Sequence, residues 1–366
     1  MAPTRQALKA TAPFVALAAA TCLLLGTLGM TRAAEPAQAA EPARPPLTVG
    51  CYYFDGWAGQ SRLAETADWA KNGPTHLTQA LVEDFPEREP IWGWRDDSVE
   101  IMQQQIDLAA DHGVGFFAFC WYYHPDEQAI RDDCKNGCIS LFLKAKNNDR
   151  MKFCLLVANH GGYLMPREED WQRAAKVWLP LMKHPQHLTV DGKPAIVIFN
   201  SNDDFTPGVA QLRTAARAAG LPGVTVVGCM GNRDSGYDYW TRYAIIPPRD
   251  PPTTDYAEAR PVFPAIRGKP CIPLVTAGWD CRPWQGPRGL GNKAPGPYFT
   301  KRTPEKLAAH LREAAKWMDD HPEQTSKERL ALIYAWNEFG EGGYLAPTKG
   351  DPDGKFLDAV RSVAAP

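Results

Sequence analysis

The sequence predicts an α/β protein with a single (β/α)8 TIM-type barrel at residues 47–366. Short apolar segments alternate with longer amphipathic segments for about eight repeats, a pattern typical of a parallel sheet covered by helices. Eight units is the number found in a closed barrel. Polar and aromatic residues follow most of the apolar segments, and barrel enzymes carry their active sites at that end of the strands.

A doubly wound open sheet is the competing topology. It is disfavoured because no Gly-x-Gly-x-x-Gly motif opens a helix in this sequence. In an open sheet the ligand cleft draws mainly on the strands at the switch point, whereas here strands one, two, three, four, seven and eight all end in candidate site residues. A closed ring is the simplest way to bring these strand ends together.

The strands are predicted from short runs of apolar residues bounded by turn residues. In chain order they are 47–54, 114–120, 152–157, 194–199, 224–228, 239–246, 272–276 and 330–335. The fourth ends in the polar run 200–203. The irregular segment 58–97 is too long for an ordinary connection, so we expect it to form one wall of a cleft.

The helices are predicted from apolar residues at helical spacing. They are 98–112, 129–148 with an interruption near 134–138, 168–183, 207–219, 256–266, 304–320 and 354–363. Ser98 and Thr303 suit the N-cap positions of their helices, and Pro207 fits a first helical turn.

Composition and charge favour a carbohydrate partner over nucleic acid. Lys plus Arg number 40 and Asp plus Glu number 42, so there is no basic stripe for nucleic acid and no polybasic membrane patch. The chain contains 12 Trp, 12 Tyr and 14 Phe residues, and aromatic rings near strand ends suit stacking against sugar rings. We expect the protein to act as a monomer.

The N-terminus predicts an exported protein. Arg5 and Lys9 precede an apolar stretch at 13–30, and Ala37-Gln38-Ala39 has the form of a cleavage site. We therefore predict a signal peptide at 1–39 and an Ala/Pro-rich tether at 40–46. The apolar stretch is short for a stable membrane span, although an uncleaved anchor is the alternative.

Eight cysteines remain after the predicted signal peptide, at 51, 120, 134, 138, 154, 229, 271 and 281. An even number in an exported chain permits disulfides. Cys134 and Cys138 lie in a polar stretch and are the best local pair. Cys51, Cys120 and the others inside apolar strands can equally be small core residues.

Residues 330–347 carry the strongest functional signal. An apolar strand ends abruptly and is followed by Trp336, Asn337, Glu338 and Glu341 in a glycine-rich loop. Carboxylates resist burial without partners, so we expect both glutamates to face a polar cleft. One carboxyl with a raised pKa can protonate a leaving oxygen while the other handles a second proton. The alternative is a surface loop in which the glutamates cap a helix.

Other residues at strand ends are candidates for binding a sugar. Asp55 and Asp280 could accept bonds from hydroxyl groups or satisfy loop backbone, and His160 could instead be structural. Consecutive strand residues point to opposite faces, so at least one of the aromatics at 121–123 belongs to the core. The predicted binding set is Asp55, Trp57, Trp121, Tyr123, Asn159, His160, Trp279, Asp280, Trp336 and Asn337.

The segment 336–347 resembles the "WNEWxEGxxLEP" segment of glycoside hydrolase family 99-like proteins, which include the WbsX-type proteins of bacterial polysaccharide clusters. The pieces at 51–53, 115–123, 157–160 and 278–280 occur in the order that this family shows. The resemblance spans essentially all of the chain after residue 47.

The resemblance implies a (β/α)8 barrel that cleaves α-linked glycans within the chain, without a metal or organic cofactor. Hydrolysis in family 99 retains configuration and proceeds through a 1,2-anhydro sugar. By position in the motif, Glu338 would assist the 2-hydroxyl of the substrate as base, and Glu341 would be the general acid and then base. Because the first carboxylate acts on O2, the carboxylate spacing of ordinary retaining enzymes would not apply.

The chain departs from the family pattern at three places. Phe339 replaces a Trp, residues 157–160 read Val-Ala-Asn-His where WbsX-type proteins often have Trp-Ala-Asn-Glu, and 345–347 lack the Glu of Leu-Glu-Pro. Mannan specificity is therefore not implied. Two other functions stay open, glycosyl transfer and carbohydrate binding without catalysis.

Overall fold

A ring of eight parallel strands lies at the centre of the computed structural model, which describes residues 45–199, 204–264, 266, 268–291 and 293–364. The strands are β1 (Thr48–Tyr53), β2 (Val114–Trp121), β3 (Lys152–Val157), β4 (Lys193–Phe199), β5 (Thr225–Cys229), β6 (Tyr239–Thr241), β7 (Leu274–Thr276) and β8 (Leu330–Tyr334). The predicted signal peptide, most of the tether and the polar run 200–203 lie outside the described residues.

The strands pair in the order β6-β5-β4-β3-β2-β1-β8-β7, all of them parallel. The ring is completed just before β7, where Trp240 forms a parallel bridge with Cys271. The Trp240 amide donates to the Pro270 carbonyl at 3.1 Å, and the Ile272 amide donates to the Trp240 carbonyl at 2.8 Å. The predicted (β/α)8 barrel is confirmed.

The helices are α1 (Gln79–Glu83), α2 (Val99–Asp111), α3 (Glu127–Asp132), α4 (Cys138–Lys144), α5 (Glu168–Met182), α6 (Thr206–Ala218), α7 (Pro304–Asp320) and α8 (Lys355–Ala364). Ser98 caps α2 by accepting from the Ile101 amide at 3.2 Å, and Thr303 caps α7 by accepting from the Lys306 amide at 3.4 Å. In the described part of the chain, none of these helices is long and apolar enough to cross a bilayer.

Three short strand pairs accompany the barrel. Thr189–Val190 pairs with the start of β4, Thr253–Asp255 pairs with Tyr298–Thr300, and Asn337–Glu338 pairs with Gly343–Tyr344. The last pair forms a tight antiparallel hairpin directly after β8.

The predicted helix at 256–266 is wrong. One 3-10 turn, Tyr256–Glu258, opens the segment, and the chain then extends so that Val262 pairs antiparallel with Leu274 of β7. Pro261 and Pro264 explain the difference, because proline lacks an amide hydrogen and clashes within a helix. This segment therefore covers β7 with an extended chain.

The expected disulfide between Cys134 and Cys138 does not form, since both side chains are free thiols. Cys138 is buried, and its thiol donates to the Asp55 carboxylate at 2.8 Å. Cys51, Cys120 and the other strand cysteines are buried core residues, which was the alternative interpretation.

We expect Gly50→Ala to destabilise the barrel, because a Cβ at this position in β1 would lie 2.1 Å from the Phe116 ring. Overpacking of this kind costs about 1–3 kcal/mol. The matched control is Gly115→Ala in β2, where the nearest atom is Thr48 Cγ2 at 3.4 Å. Urea unfolding should show a lower midpoint for Gly50→Ala only; equal midpoints would contradict the packing described here.

Candidate active site

The hairpin after β8 carries both predicted catalytic residues. All five residues of β8 are buried between β1 and β7, so the chain leaves the barrel core at one fixed point. Glu338 lies in the first arm of the hairpin and Glu341 lies in its turn. Both therefore sit at the carboxyl end of the strands, where barrels build active sites.

The glycines of this hairpin allow aromatic rings to lie directly against its backbone. A Cβ added at Gly340 would be 1.9 Å from the Trp284 ring, and one added at Gly343 would be 2.2 Å from the Tyr334 ring. Any larger residue would push the hairpin away from these rings. The two glycines thus help to fix the hairpin that carries Glu338 and Glu341.

A cavity of about 570 Å³ opens in front of the two glutamates. It is lined mainly by aromatic and apolar side chains with few polar groups, which is usual for a small-molecule site. Its lining includes Phe54, His76, Cys120, Tyr122, Lys135, Leu156, Ala158, His160, Tyr163, Phe199, Met230, Tyr243, Ala244, Ile246, Trp279, Trp284, Leu290, Glu338 and Glu341.

Glu338 is buried, with 3% of its surface exposed. Its Oε1 accepts a hydrogen bond from the Tyr243 hydroxyl, and its Oε2 has no partner among the described residues. Burial and the charge of Glu341 raise the pKa of Glu338 well above its usual value, and the Tyr243 hydrogen bond partly opposes this. A buried acceptor without a partner is costly, so Oε2 is available to a ligand.

Glu341 has its own tyrosine partner. The Tyr334 hydroxyl donates to Glu341 Oε2. Burial raises the pKa of Glu341, and the Tyr334 hydrogen bond lowers it in part. Because a second negative charge in the same cavity is unfavourable, the two glutamates favour a state that keeps one proton between them.

Aromatic packing fixes the two tyrosine hydroxyls. The rings of Tyr243 and Tyr334 lie edge to face with their centroids 5.0 Å apart. Trp279 lies 5.7 Å from Tyr334, and Tyr52 lies 5.0 Å from Tyr243. Such contacts hold the rings in position, so each carboxylate meets a donor whose place is set by aromatic packing.

Asp280 braces the hairpin instead of facing the cavity. Its backbone amide donates to the Glu341 carbonyl at 2.5 Å, and its carboxylate binds Arg88 at 2.5 Å and Arg282 at 2.8 Å. Arg88 also donates to the Phe339 carbonyl at 3.0 Å. Although burial raises the pKa of Asp280, Arg282 and Arg88 hold it below its usual value. The predicted sugar contact is thus a positioning group.

His160 and Trp279 are the predicted binding residues that line the cavity. His160 packs edge to face against Phe199 at 5.4 Å and against Tyr163 at 5.9 Å. Burial lowers the pKa of His160, which favours the neutral imidazole. A neutral ring can donate and accept one hydrogen bond each, as a sugar hydroxyl requires.

Three predicted binding residues instead anchor the start of the hairpin to the segment after β1 and to α2. The Trp57 indole donates to the Asn337 carbonyl at 2.8 Å, and the Asn337 side chain bonds both backbone groups of Phe54 at 2.7 and 2.8 Å. The Trp336 indole donates to the Gln105 side chain at 2.6 Å. All three are fully buried. Their contacts are internal to the protein.

Of the three aromatic residues at 121–123, the two in the predicted binding set do not line the cavity. Trp121 packs edge to face on Trp178 at 5.1 Å, and the Tyr123 hydroxyl donates to Asp170 at 2.7 Å. Neither lines the cavity, whereas Tyr122 between them does. The sequence shows that neighbours alternate, but it does not show which of the two faces is the inner one.

Asp55 and Asn159 each accept a hydrogen bond from a backbone amide, while Asn159 Nδ2 is buried without a partner among the described residues. Asp55 accepts from the Cys138 amide at 2.5 Å, and Asn159 accepts from the Met165 amide at 3.0 Å. Neither lines the cavity. Each is a polar residue at a strand end that satisfies a nearby loop, the structural alternative for such residues.

A buried group of Asp55, Asp96 and Cys138 has the residue types of a metal site, with their ligand atoms within 4.8 Å of one another. The group is already bonded internally, since Tyr53 and Asn337 both donate to Asp96 at 3.2 Å. Burial raises the pKa of Asp55 to about 6. Burial also raises the pKa of Asp96, and a proton on either carboxyl would relieve the repulsion between them.

The sequence reasoning missed several cavity residues. Tyr243 follows β6, so the rule that strand ends build the site could have indicated it. Tyr334 does not line the cavity, but it was missed as the partner of Glu341, because that contact depends on the turn after β8. His76 and Trp284 come from irregular loops, and no local pattern assigns them to the cavity.

Known proteins match the chain at the levels of family and fold. The family model described as Glycosyltransferase WbsX matches residues 93–262 and 250–360. The protein WxcX of Xanthomonas campestris pv. campestris (strain B100), described as uncharacterized, is 22% identical over 377 aligned positions covering 88% of this chain and 50% of that protein. WxcX of strain ATCC 33913 matches equally. The chain spans about half the length of these curated relatives.

Two solved structures share the barrel. A glycoside hydrolase-like protein superposes with a TM-score of 0.56 and 12% identity, covering 90% of this chain and 97% of its own. The GH99 endo-α-mannosidase from Bacteroides thetaiotaomicron superposes with a TM-score of 0.51 and 15% identity, covering 86% and 95%. The family match covers well over half of the residues, so the chain belongs to the WbsX family, whose barrel here is like that of a GH99 enzyme.

Proposed function

We propose that the protein is a glycoside hydrolase that cleaves within an α-linked polysaccharide and retains configuration. One observation carries the proposal, namely that the buried Glu338 and the half-buried Glu341 line one cavity, each with a tyrosine donor. A carbohydrate-binding protein gains nothing from burying two groups that resist ionisation, whereas acid–base catalysis needs raised pKa values. The barrel is similar in fold to that of a GH99 endo-α-mannosidase, and this similarity supports the proposal that the fold carries this chemistry.

The roles of the two glutamates follow their order in the motif. Glu338 Oε2, which has no partner in the described part of the chain, takes the proton of the substrate's 2-hydroxyl as O2 attacks C1. Glu341 gives its proton to the leaving glycosidic oxygen, so the product of the first step is a 1,2-anhydro sugar. Glu341 then takes a proton from water as the water opens the ring, and Glu338 returns its proton to O2.

Each of the two glutamates is held by a hydrogen bond from a tyrosine. Tyr334 binds Glu341 Oε2, which leaves Oε1 for the leaving oxygen. Burial and the charge of Glu341 raise the pKa of Glu338, and the hydrogen bond from Tyr243 to Glu338 Oε1 partly opposes this rise. Without that bond the ionised form that a base requires would be disfavoured further.

The shape of the site supports cleavage inside a chain. A further cavity of about 470 Å³ shares His76, Lys135, Tyr163 and Leu290 with the active-site cavity. A polysaccharide can therefore continue past the glutamates into a second set of contacts. The predicted signal peptide at 1–39 lies outside the described residues, and we propose export as the route to such a substrate.

Glycosyl transfer is the second candidate, favoured by the description of the family model. Asp351-Pro352-Asp353 has the Asp-x-Asp spacing of a metal–nucleotide site, but Asp351 binds the amides of Lys355 and Phe356 at the start of α8. Neither aspartate lines the active-site cavity. Oligosaccharide release without any nucleotide sugar would separate hydrolysis from transfer.

We expect Glu341→Gln and Glu338→Gln each to lower polysaccharide cleavage by roughly 10²–10⁴-fold, because general acid–base catalysis contributes about that factor. The assay is oligosaccharide release from a panel of α-mannans, α-glucans and bacterial polysaccharides. Glu100→Gln, an exposed change in α2, is the matched control. Release that survives Glu341→Gln would remove the mechanism.

The same two variants should be more stable than the wild type at neutral pH. A carboxyl whose folded pKa lies above its unfolded value of about 4.5 loses stability as pH rises from that value through the raised pKa. Glutamine has no such loss, so melting temperatures should be higher by on the order of a few degrees at pH 7 and should converge with the wild type near pH 4. Lower stability at pH 7 would mean that the carboxylates are favourably paired.

Tyr243→Phe should move the acid limb of the pH profile of kcat/KM to higher pH. The lost hydrogen bond normally lowers the pKa of Glu338, so the base would ionise only at a higher pH. Tyr239→Phe, which removes a hydroxyl bonded to Asp191, is the control and should leave the profile in place. An unshifted limb in Tyr243→Phe would show that Glu338 is not the base.

A further inference from the structure

A second cavity of about 270 Å³, the basic cavity, adjoins the active-site cavity. Trp279 lines both, and Glu341 of the active site is followed in the chain by Gly342 of the basic cavity. Four cationic side chains and two carboxylates line it. The cations are Arg88, Arg282, Lys301 and Arg302, and the acids are Glu87 and Asp280.

Arg88 and Arg282 share a single carboxylate. Both bind Asp280, Arg88 at 2.5 Å and Arg282 at 2.8 Å through two nitrogens. Glu87 adds little, since its side chain is 53% exposed and lies 3.8 Å from Arg88. One carboxylate between two guanidinium groups leaves a positive charge that is held in place by the protein.

Arg302 has no carboxylate partner among the described residues. Its guanidinium lies between the rings of Phe356 at 3.7 Å and Tyr344 at 4.6 Å and donates to the Tyr344 carbonyl. Its Nε is buried without an acceptor. Arg302 is half-buried, and this burial lowers the pKa of its guanidinium. A cation that is removed from water is normally paired because desolvation is costly. An anion in the cavity would compensate it.

We propose that the basic cavity is a subsite for the anionic group of a charged sugar, so that the substrate is an acidic polysaccharide. Guanidinium groups match carboxylate, sulfate and phosphate with paired hydrogen bonds. Trp279 gives the sugar ring a wall to stack on between the two cavities. This inference depends on the proposed glycoside hydrolase for its substrate, but the subsite itself is tested by binding.

The first experiment measures binding to wild-type protein by calorimetry at low salt. Glucuronate, inorganic sulfate and inorganic phosphate are the anionic probes, and glucose is the neutral probe. At least one anion should bind more tightly than glucose, and Arg302→Gln should weaken it by about tenfold or more because a charge-assisted bond is lost. Arg260→Gln, an exposed change paired with Glu313 elsewhere, should bind as the wild type does. Equal binding of glucose and all three anions would overturn the proposal.

The second experiment needs no cavity variant, so it decides the question even if Arg302→Gln does not fold. A uronate-containing polysaccharide is compared with its carboxyl-reduced form, alongside sulfated, phosphorylated and neutral polymers. Retention in affinity electrophoresis is measured for wild-type protein and for Glu341→Gln. Acidic polymers should be retained and the reduced form should not, and the retained polymer identifies the anion.

The two proposals fail in different ways in this experiment. Retention of an acidic polymer without cleavage keeps the subsite and rejects the hydrolase. Cleavage with equal retention of the acidic and carboxyl-reduced forms keeps the hydrolase and rejects the subsite.

Discussion

Two carboxyl groups at one cavity, Glu338 buried and Glu341 half-buried, are the constraint on which the rest of the site depends. Burial and mutual repulsion both oppose their ionisation, so the ionised forms need hydrogen-bond donors. Tyr243 and Tyr334 supply the donors, and their rings pack edge to face. The barrel contributes a ring of strand ends, which a smaller fold could not provide. The residues that follow β6 and β8 therefore reach the same point.

Most polar residues around the site hold it in place and do not touch the cavity. Arg88 and Asp280 fix the backbone of the hairpin turn, while Asn337 and Trp336 fix its start. A misplacement of about 1 Å at catalytic groups is costly, which explains why so many strong bonds serve one short hairpin. Positioning residues of this kind resemble ligand contacts when they are read from sequence alone.

Sequence predicted what is encoded locally. The barrel followed from the repeat of strand and helix, and Glu338 and Glu341 followed from one contiguous motif. The direction of a side chain is not local: Tyr122 faces the cavity because of the register of β2 in the closed ring. Tyr243 and Trp284 reach the glutamates from distant segments. The helix at 256–266 was predicted from the spacing of its apolar residues, although two prolines in the segment disfavour a helix.

The free cysteines have a practical consequence for work on the molecule. Burial raises the pKa of Cys154 to about 12, and it also raises the pKa of Cys51. The reactive thiolate forms of both residues are therefore scarce. The barrel is built without covalent cross-links in its described part. Production in a reducing host and purification with a thiol reductant should therefore yield the same native molecule as an oxidising route.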